Sequence, residues 1–151
     1  MRKLVILLTF IMFFVIGCTN KNEEIEYFKL SYHPSVEKNL DDFKKIVIDF
    51  SEDEIYIKYY TNFSEVDKQY LVNDVETLKT YINSMKKHPD NYNRDDEREQ
   101  IQVVLWNVNI ETNENKYWFT GFDDYPDYWD KLWQVLLETS EAESLEDFGF
   151  E

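Results

Sequence analysis

Cysteine occurs once in 151 residues, glycine and proline three times each, and histidine twice. A single cysteine, Cys18, leaves no partner for an intramolecular disulfide and no cysteine cage for zinc. Three glycines cannot supply a Gly-rich phosphate loop. The two histidines, His33 and His88, each precede a proline, and neither stands near a Ser or Asp in a triad motif. Basic residues are scarce too: 16 Lys and Arg face 31 Asp and Glu, a formal net charge of −15. A nucleic-acid binder needs a basic footprint, so that class is excluded. An acid excess favours solubility, attraction to cationic partners and repulsion from anionic lipid heads.

Long apolar runs are absent apart from one, Leu4 to Ile16, interrupted only by Thr9. At ~1.5 Å rise per residue it spans roughly 20 Å as a helix, short of the ~30 Å of a bilayer interior. The polar run Thr19-Asn20-Lys21-Asn22 prevents its extension. Arg2 and Lys3 before the run and Gly17 after it are the parts of an export signal. An ordinary secretory signal would leave Cys18 as a free thiol.

"VIGC", Val15-Ile16-Gly17-Cys18, resembles the lipobox of bacterial lipoprotein signal peptides. Val15 stands where Leu is commoner. The resemblance covers residues 1–18 and implies diacylglyceryl attachment to the Cys18 thiol, with cleavage in front of it. One acyl chain binds a bilayer marginally; two hold, at ~0.8 kcal/mol per buried CH₂. The expected organisation is a signal peptide over 1–17, a lipidated tether over 18–24, one domain over 25–139 and an acidic tail over 140–151. The six tether residues after Cys18 reach about 20 Å when extended. Removing residues 1–17 leaves 14 basic residues against 31 acids, a net charge of −17. The 134 residues from Cys18 onward make one domain of ordinary size.

Periodicity places the elements. Ile25, Tyr27 and Leu30 mark a first strand that ends at His33-Pro34. "KIVIDFS" (45–51) puts Ile46, Ile48 and Phe50 on one face; "EIYIKYYT" (54–61) does the same with Ile55, Ile57 and Tyr59. Two alternating runs around a polar turn predict an antiparallel hairpin. Residues 68–72 suit a further strand. A helix follows, with Asn73 as cap and Glu76 completing a capping-box-like pair, then Val75, Leu78, Ile82 and Met85 at helical spacing up to His88-Pro89. Residues 87–99 form a polar loop. Gln100 to Glu111 is the longest predicted strand, with Val104, Trp106, Val108 and Ile110 on one face. "TNEN" turns the chain into a strand over 116–122, Tyr117 and Phe119 on one side and Trp118 on the other. Pro126 suits the first position of a second helix, with Asp123, Asp124 and Asp127 at its positive end and Trp129, Leu132, Trp133 and Leu136 as its apolar stripe. The tail offers Leu145, Phe148 and Phe150 for docking. The sum is an α+β domain: an antiparallel sheet of five to six strands with two helices on one face.

No residue set stands out as catalytic. A carboxylate pair for glycoside cleavage is available among 31 acids, but none is singled out. Asn91, Asn93, Asp95 and Glu97 alternate like calcium-loop ligands; Asp96 occupies the glycine position, no bidentate Glu follows, and Arg94 and Arg98 oppose a cation. No metal or cofactor is expected. "NFS" (62–64) matches a glycosylation acceptor too short to carry weight in a bacterial-looking chain.

Aromatics are plentiful at 17%. Strand propensity and core filling absorb many, yet Tyr56 and Tyr60 share the Lys58 face, Trp118 opposes Tyr117 and Phe119, and Tyr125 and Tyr128 flank acids. Exposed Tyr and Trp beside carboxylates suit a cationic peptide or protein. The candidate partner-binding residues are therefore Tyr56, Tyr60, Trp118, Asp123, Asp124, Tyr125, Asp127 and Tyr128. The expectation is a lipid-anchored protein on the extracytoplasmic face of a bacterial cell membrane that binds a protein or basic peptide without catalysis, of immunity or inhibitor type in one version. The alternatives are a cell-envelope enzyme using paired carboxylates and a structural accessory of a membrane complex.

Overall fold

A computed structural model describes residues 23–33, 43–61, 65–87, 106–121 and 125–150. The elements run in the order β1 (Ile25–Tyr32), β2 (Lys44–Asp49), β3 (Tyr56–Tyr60), β4 (Lys68–Leu71), α1 (Val75–Met85), β5 (Trp106–Thr112), β6 (Lys116–Gly121) and α2 (Trp129–Glu138), then a 3₁₀ turn over Leu145–Phe148. The strands form one antiparallel sheet in the order β4-β3-β2-β1-β5-β6. The first four make a meander. After α1 the chain returns to the free side of β1 and adds the β5–β6 hairpin. The result is the expected α+β arrangement.

Period-two alternation decides which side chains enter the core. Phe28, Leu30 and Tyr32, Ile46 and Ile48, Ile57 and Tyr59, and Trp106, Val108 and Ile110 are all buried on one face. Ile25 is buried as well, three residues before Phe28, because a register shift between Ile25 and Tyr27 adds a residue to β1 there. Tyr27, next to Phe28 in the regular part of the strand, points to the opposite face.

Both helices cover the buried face. Lys79 of α1 lies over the Phe50 ring and Lys86 over the Tyr117 ring. Trp129 and Trp133 of α2 meet Tyr32 edge-on at 6.1 and 4.8 Å. The residues after α2 complete this layer. Phe148 is fully buried, Phe150 stacks on Tyr32 at 5.4 Å, and the Tyr32 hydroxyl donates to the Phe148 carbonyl at 2.6 Å. Burying one such ring contributes about 2–3 kcal/mol. Leu145, the third apolar residue of the tail, stays exposed. Ser144 and Asp147 close a capping box on the turn, and Gly149 ends it at φ +78°, a left-handed conformation that glycine adopts without strain.

Several boundaries differ from the sequence expectation. Asp74, not Asn73, caps α1: its carboxylate accepts the Thr77 amide at 3.0 Å and the Thr77 hydroxyl at 2.7 Å. The backbone amides of Asn73 and Asp74 both donate to the Thr139 carbonyl, at 2.7 and 3.2 Å, which joins the end of α2 to the start of α1. Pro126 sits in a turn before α2, closed by the Trp129 amide on the Pro126 carbonyl at 2.9 Å. The helix starts only at Trp129 because Tyr125 stacks on that indole at 4.5 Å and donates its hydroxyl to the His33 carbonyl, folding the preceding chain back on β1. Asp130 takes the first-turn acidic position. β3 begins at Tyr56 rather than Glu54. The beginning of the predicted fifth strand, with Val104, lies outside the described residues.

Candidate functional site

Among the described residues no element covers the face of the sheet opposite the helices, although Ser31 on that face is buried. Register aligns its side chains in rows across the strands. The central row reads Gln69, Lys58, Val47, Lys29, Asn109, Trp118 from β4 to β6. On one side lie Tyr60, Lys45, Ser31, Asn107 and Thr120. On the other lie Asp49, Tyr27, Glu111 and Lys116. The face is thus polarised. Lysines 29, 45 and 58 occupy the middle and one end. Asp49 and Glu111 occupy the other end, joined by Glu26 and by the acidic bend Glu52-Asp53-Glu54 that links β2 to β3.

A surface depression of about 410 Å³ lies at the acidic end, lined by Glu26, Tyr27, Lys29, Asp49, Ser51, Asn109 and Glu111. Asp49 is held below the usual carboxylate range by the Ser51 hydroxyl at 2.6 Å and the Ser51 amide at 3.0 Å, with Lys58 assisting and burial opposing. The Tyr27 phenol is pushed up by burial first, then by Tyr60, Glu111 and Asp49. Glu111 binds Lys116 at 2.8 Å, and Lys58 binds Glu52 at 2.6 Å. Lys45 lies over the Tyr60 ring at 3.8 Å, and its pKa is lowered by burial and then by Lys29. A depression lined by Glu26, Asp49 and Glu111 around a tyrosine ring, with Lys29 the one cation in its lining, can hold a positively charged group: charge from the acids, a π face from Tyr27.

The structure brings Tyr56, Tyr60 and Trp118 to this open face. Trp118 is 68% exposed on the edge strand β6. The Tyr56 hydroxyl donates to Glu54 at 3.1 Å, which raises its pKa. Tyr125 and Tyr128 lie elsewhere, on the helix side, where Tyr125 packs on Trp129 and the Tyr128 carbonyl accepts the Tyr81 hydroxyl at 2.9 Å. Asp127 is exposed at the turn before α2. Asp123, Asp124, the lipobox residues Val15, Ile16 and Gly17, Cys18, His88 and the calcium-like stretch 91–97 lie outside the described residues. His33 is buried, packed edge-on against Phe43 at 4.6 Å. Among the described residues no three His, Cys, Asp or Glu side chains converge as metal ligands, and no helix is long and apolar enough to cross a membrane.

Sequence reasoning passed over Tyr27, Lys29, Asp49, Asn109 and Glu111. The signal for their face was present, since each alternates with a core residue. Strand order was not, and without it they cannot be joined into one site. It also missed Glu23. This partly buried carboxylate accepts from Lys86 at 2.8 Å, Tyr117 at 2.6 Å and Asn115 at 2.6 Å, which together hold its pKa down at about 2. Glu23 thereby ties the start of the domain to the end of α1 and to the β5–β6 hairpin.

Compared with known proteins, the chain matches no family model, no curated sequence and no solved structure.

Proposed function

We propose that this chain is a membrane-anchored extracytoplasmic binding protein, lipidated at Cys18, that captures a cationic peptide or protein segment on the open face of its sheet without catalysis. The observation that carries the reading is the polarised open face, with an acidic depression around Tyr27 and a large aromatic, Trp118, left in solvent. An immunity or inhibitor lipoprotein intercepting a basic toxin or peptide is one concrete form. Glu23, five residues after Cys18, is already clamped to the domain, so a partner would be met close to the bilayer.

The enzyme alternative calls for a carboxylic acid with a raised pKa in a cleft. The carboxylate shifts seen here, at Glu23, Asp49, Asp67, Asp74 and Asp147, all run downward through hydrogen bonds. That supports holding charge over transferring protons.

Two measurements test the proposal. Calorimetry with a lysine-rich peptide should give an affinity that falls as salt rises from low to physiological ionic strength, because exposed charges are screened beyond about 8–10 Å. Asp49→Asn should weaken binding. An affinity indifferent to salt and to Asp49 would refute the binding surface. Separately, Cys18→Ala should abolish acyl labelling in a bacterial host and leave a longer precursor; equal labelling of variant and parent would refute the anchor.

A further inference from the structure

A sheet has two edges, and this protein treats them differently. The β4 edge is covered at its Leu71–Val72 end by the chain itself. Val72 and Ser140 form a bridge, the Glu141 amide donates to the Leu71 carbonyl at 3.0 Å, and the Asn73 and Asp74 amides donate to the Thr139 carbonyl. The Tyr70 hydroxyl adds a bond to Asp147 at 2.9 Å. The β6 edge has no such cover among the described residues.

Backbone alternation shows what β6 leaves open. The hairpin closes with the Thr112 amide on the Asn115 carbonyl at 2.8 Å, and Ile110 faces Tyr117, Val108 faces Phe119 and Trp106 faces Gly121. In an antiparallel pair, hydrogen-bonded and non-hydrogen-bonded positions alternate. Tyr117, Phe119 and Gly121 therefore bond to β5, while Lys116, Trp118 and Thr120 turn their N–H and C=O groups outward. Exposed edges are normally blunted by proline, a bulge or a charge in mid-strand. β6 has none of the three across Tyr117–Thr120, and its register with β5 is unbroken. At its centre the most exposed Trp side chain described stands on the open face.

We propose that β6 is a docking edge: an extended basic segment of a partner polypeptide adds antiparallel to it as a seventh strand, with basic side chains over the Trp118 indole. This deepens the binding-protein reading and rests on it. Charge complementarity selects the occupant. A second copy would set a net charge of −17 against another of −17 once residues 1–17 are removed, whereas a basic segment meets a chain of opposite net charge, the Lys116 beside the edge being already paired with Glu111. A residue directly opposite Trp118 shares its face of the sheet, so the backbone groups that pair with Trp118 belong to the residue whose side chain covers the indole. A cation there gains from the ring face. β6 also adjoins β5, which supplies Asn109 and Glu111 to the acidic depression, so strand addition and charge capture occur on one continuous surface.

The test uses the full chain and a synthetic octapeptide of alternating lysine and valine. Backbone N-methylation at the lysines removes the N–H groups that would face β6; N-methylation at the valines removes those pointing away. The unmodified and valine-methylated peptides should bind alike and slow amide exchange at Trp118 and Thr120. The lysine-methylated peptide should bind at least about tenfold more weakly, the equivalent of one or two lost backbone hydrogen bonds. Thr120→Pro removes one outward N–H without touching the β5 ladder and should weaken the unmodified peptide similarly. If both methylated peptides bind equally in a salt-dependent way, or protection falls away from Trp118 and Thr120, the docking edge is wrong while the binding reading stands. If no peptide of the three binds, both are wrong.

Discussion

Trp133 and Trp118 stand on opposite sides of one sheet. Trp133 is 4% exposed and lies within ring-contact distance of Tyr32, Trp129, Phe148 and Phe150. Trp118 is 68% exposed. The same contrast divides the tyrosines. Tyr32 and Tyr59 face the helices, and burial drives both phenols upward, Tyr59 to about 12. Tyr27, Tyr56 and Tyr60 face the open side among lysines and carboxylates. An aromatic content that looks like one surplus is two populations. One makes the core, where each ring adds packing to buried area; the other lines a surface whose removal costs the fold little.

Truncating the buried indole challenges this contrast most severely. Trp133→Ala should lower unfolding free energy by about 3–5 kcal/mol, as large-to-small changes in aromatic cores do; a denaturant midpoint near that of the parent would show that the helix layer does not hold the sheet. Next is Gly121→Ala. An added Cβ would run into the indole of Trp106, which is fully buried. The overpacking should cost about 1–3 kcal/mol, and a neutral effect in thermal melts would mean that β5 and β6 separate easily.

A smaller effect lies on the pH axis. Because folding lowers the pKa of Glu23 from 4.5 to about 2, the ionised clamp stabilises the fold fully above its ordinary value. That contribution fades as pH falls from about 4.5 toward 2. Glu23→Gln should therefore be less stable than the parent at neutral pH and should approach it by pH 2; a constant gap between their melting temperatures across pH 7, 5, 3 and 2 would show that the Glu23 carboxylate clamps nothing. Smallest of all is Trp118→Ala. Unfolding free energy should change by less than about 0.5 kcal/mol while peptide affinity drops. A large loss of stability would transfer Trp118 to the structural population and erase the distinction between the faces.

Much of the fold was legible along the chain. The alternation in 45–51 and 116–121 assigned faces residue by residue, and the stripe Trp129-Leu132-Trp133-Leu136 marked α2. Helix starts were less legible. Asp74 displaced Asn73, and Trp129 rather than Pro126 opened α2. At α1 the Asp74 carboxylate on Thr77 marks the start, and at α2 the long-range bond from Tyr125 to His33 folds back the chain that precedes the helix. The site was readable only in part. Tyr56, Tyr60 and Trp118 stood out by face, but Tyr125 joined them on local composition alone, and its place depends on a stack with Trp129.

By itself the sequence determined the acid excess, the apolar run before Cys18, the type of each described helix and strand, and, within most strands, which side chain points which way. These follow from composition and from periods of two and 3.6 residues, which operate between near neighbours. Tertiary structure alone decided that β5 returns to β1, that Asp49, Tyr27 and Glu111 share a row, that Glu23 meets Lys86 and Tyr117, and that the C-terminal residues cover the end of one sheet edge while the other has no cover among the described residues. The contacts among these join segments far apart in the chain, by backbone pairing or, at Glu23, by side-chain hydrogen bonds, and neither a backbone N–H nor a carboxylate carries a mark in the sequence of the partner it will find.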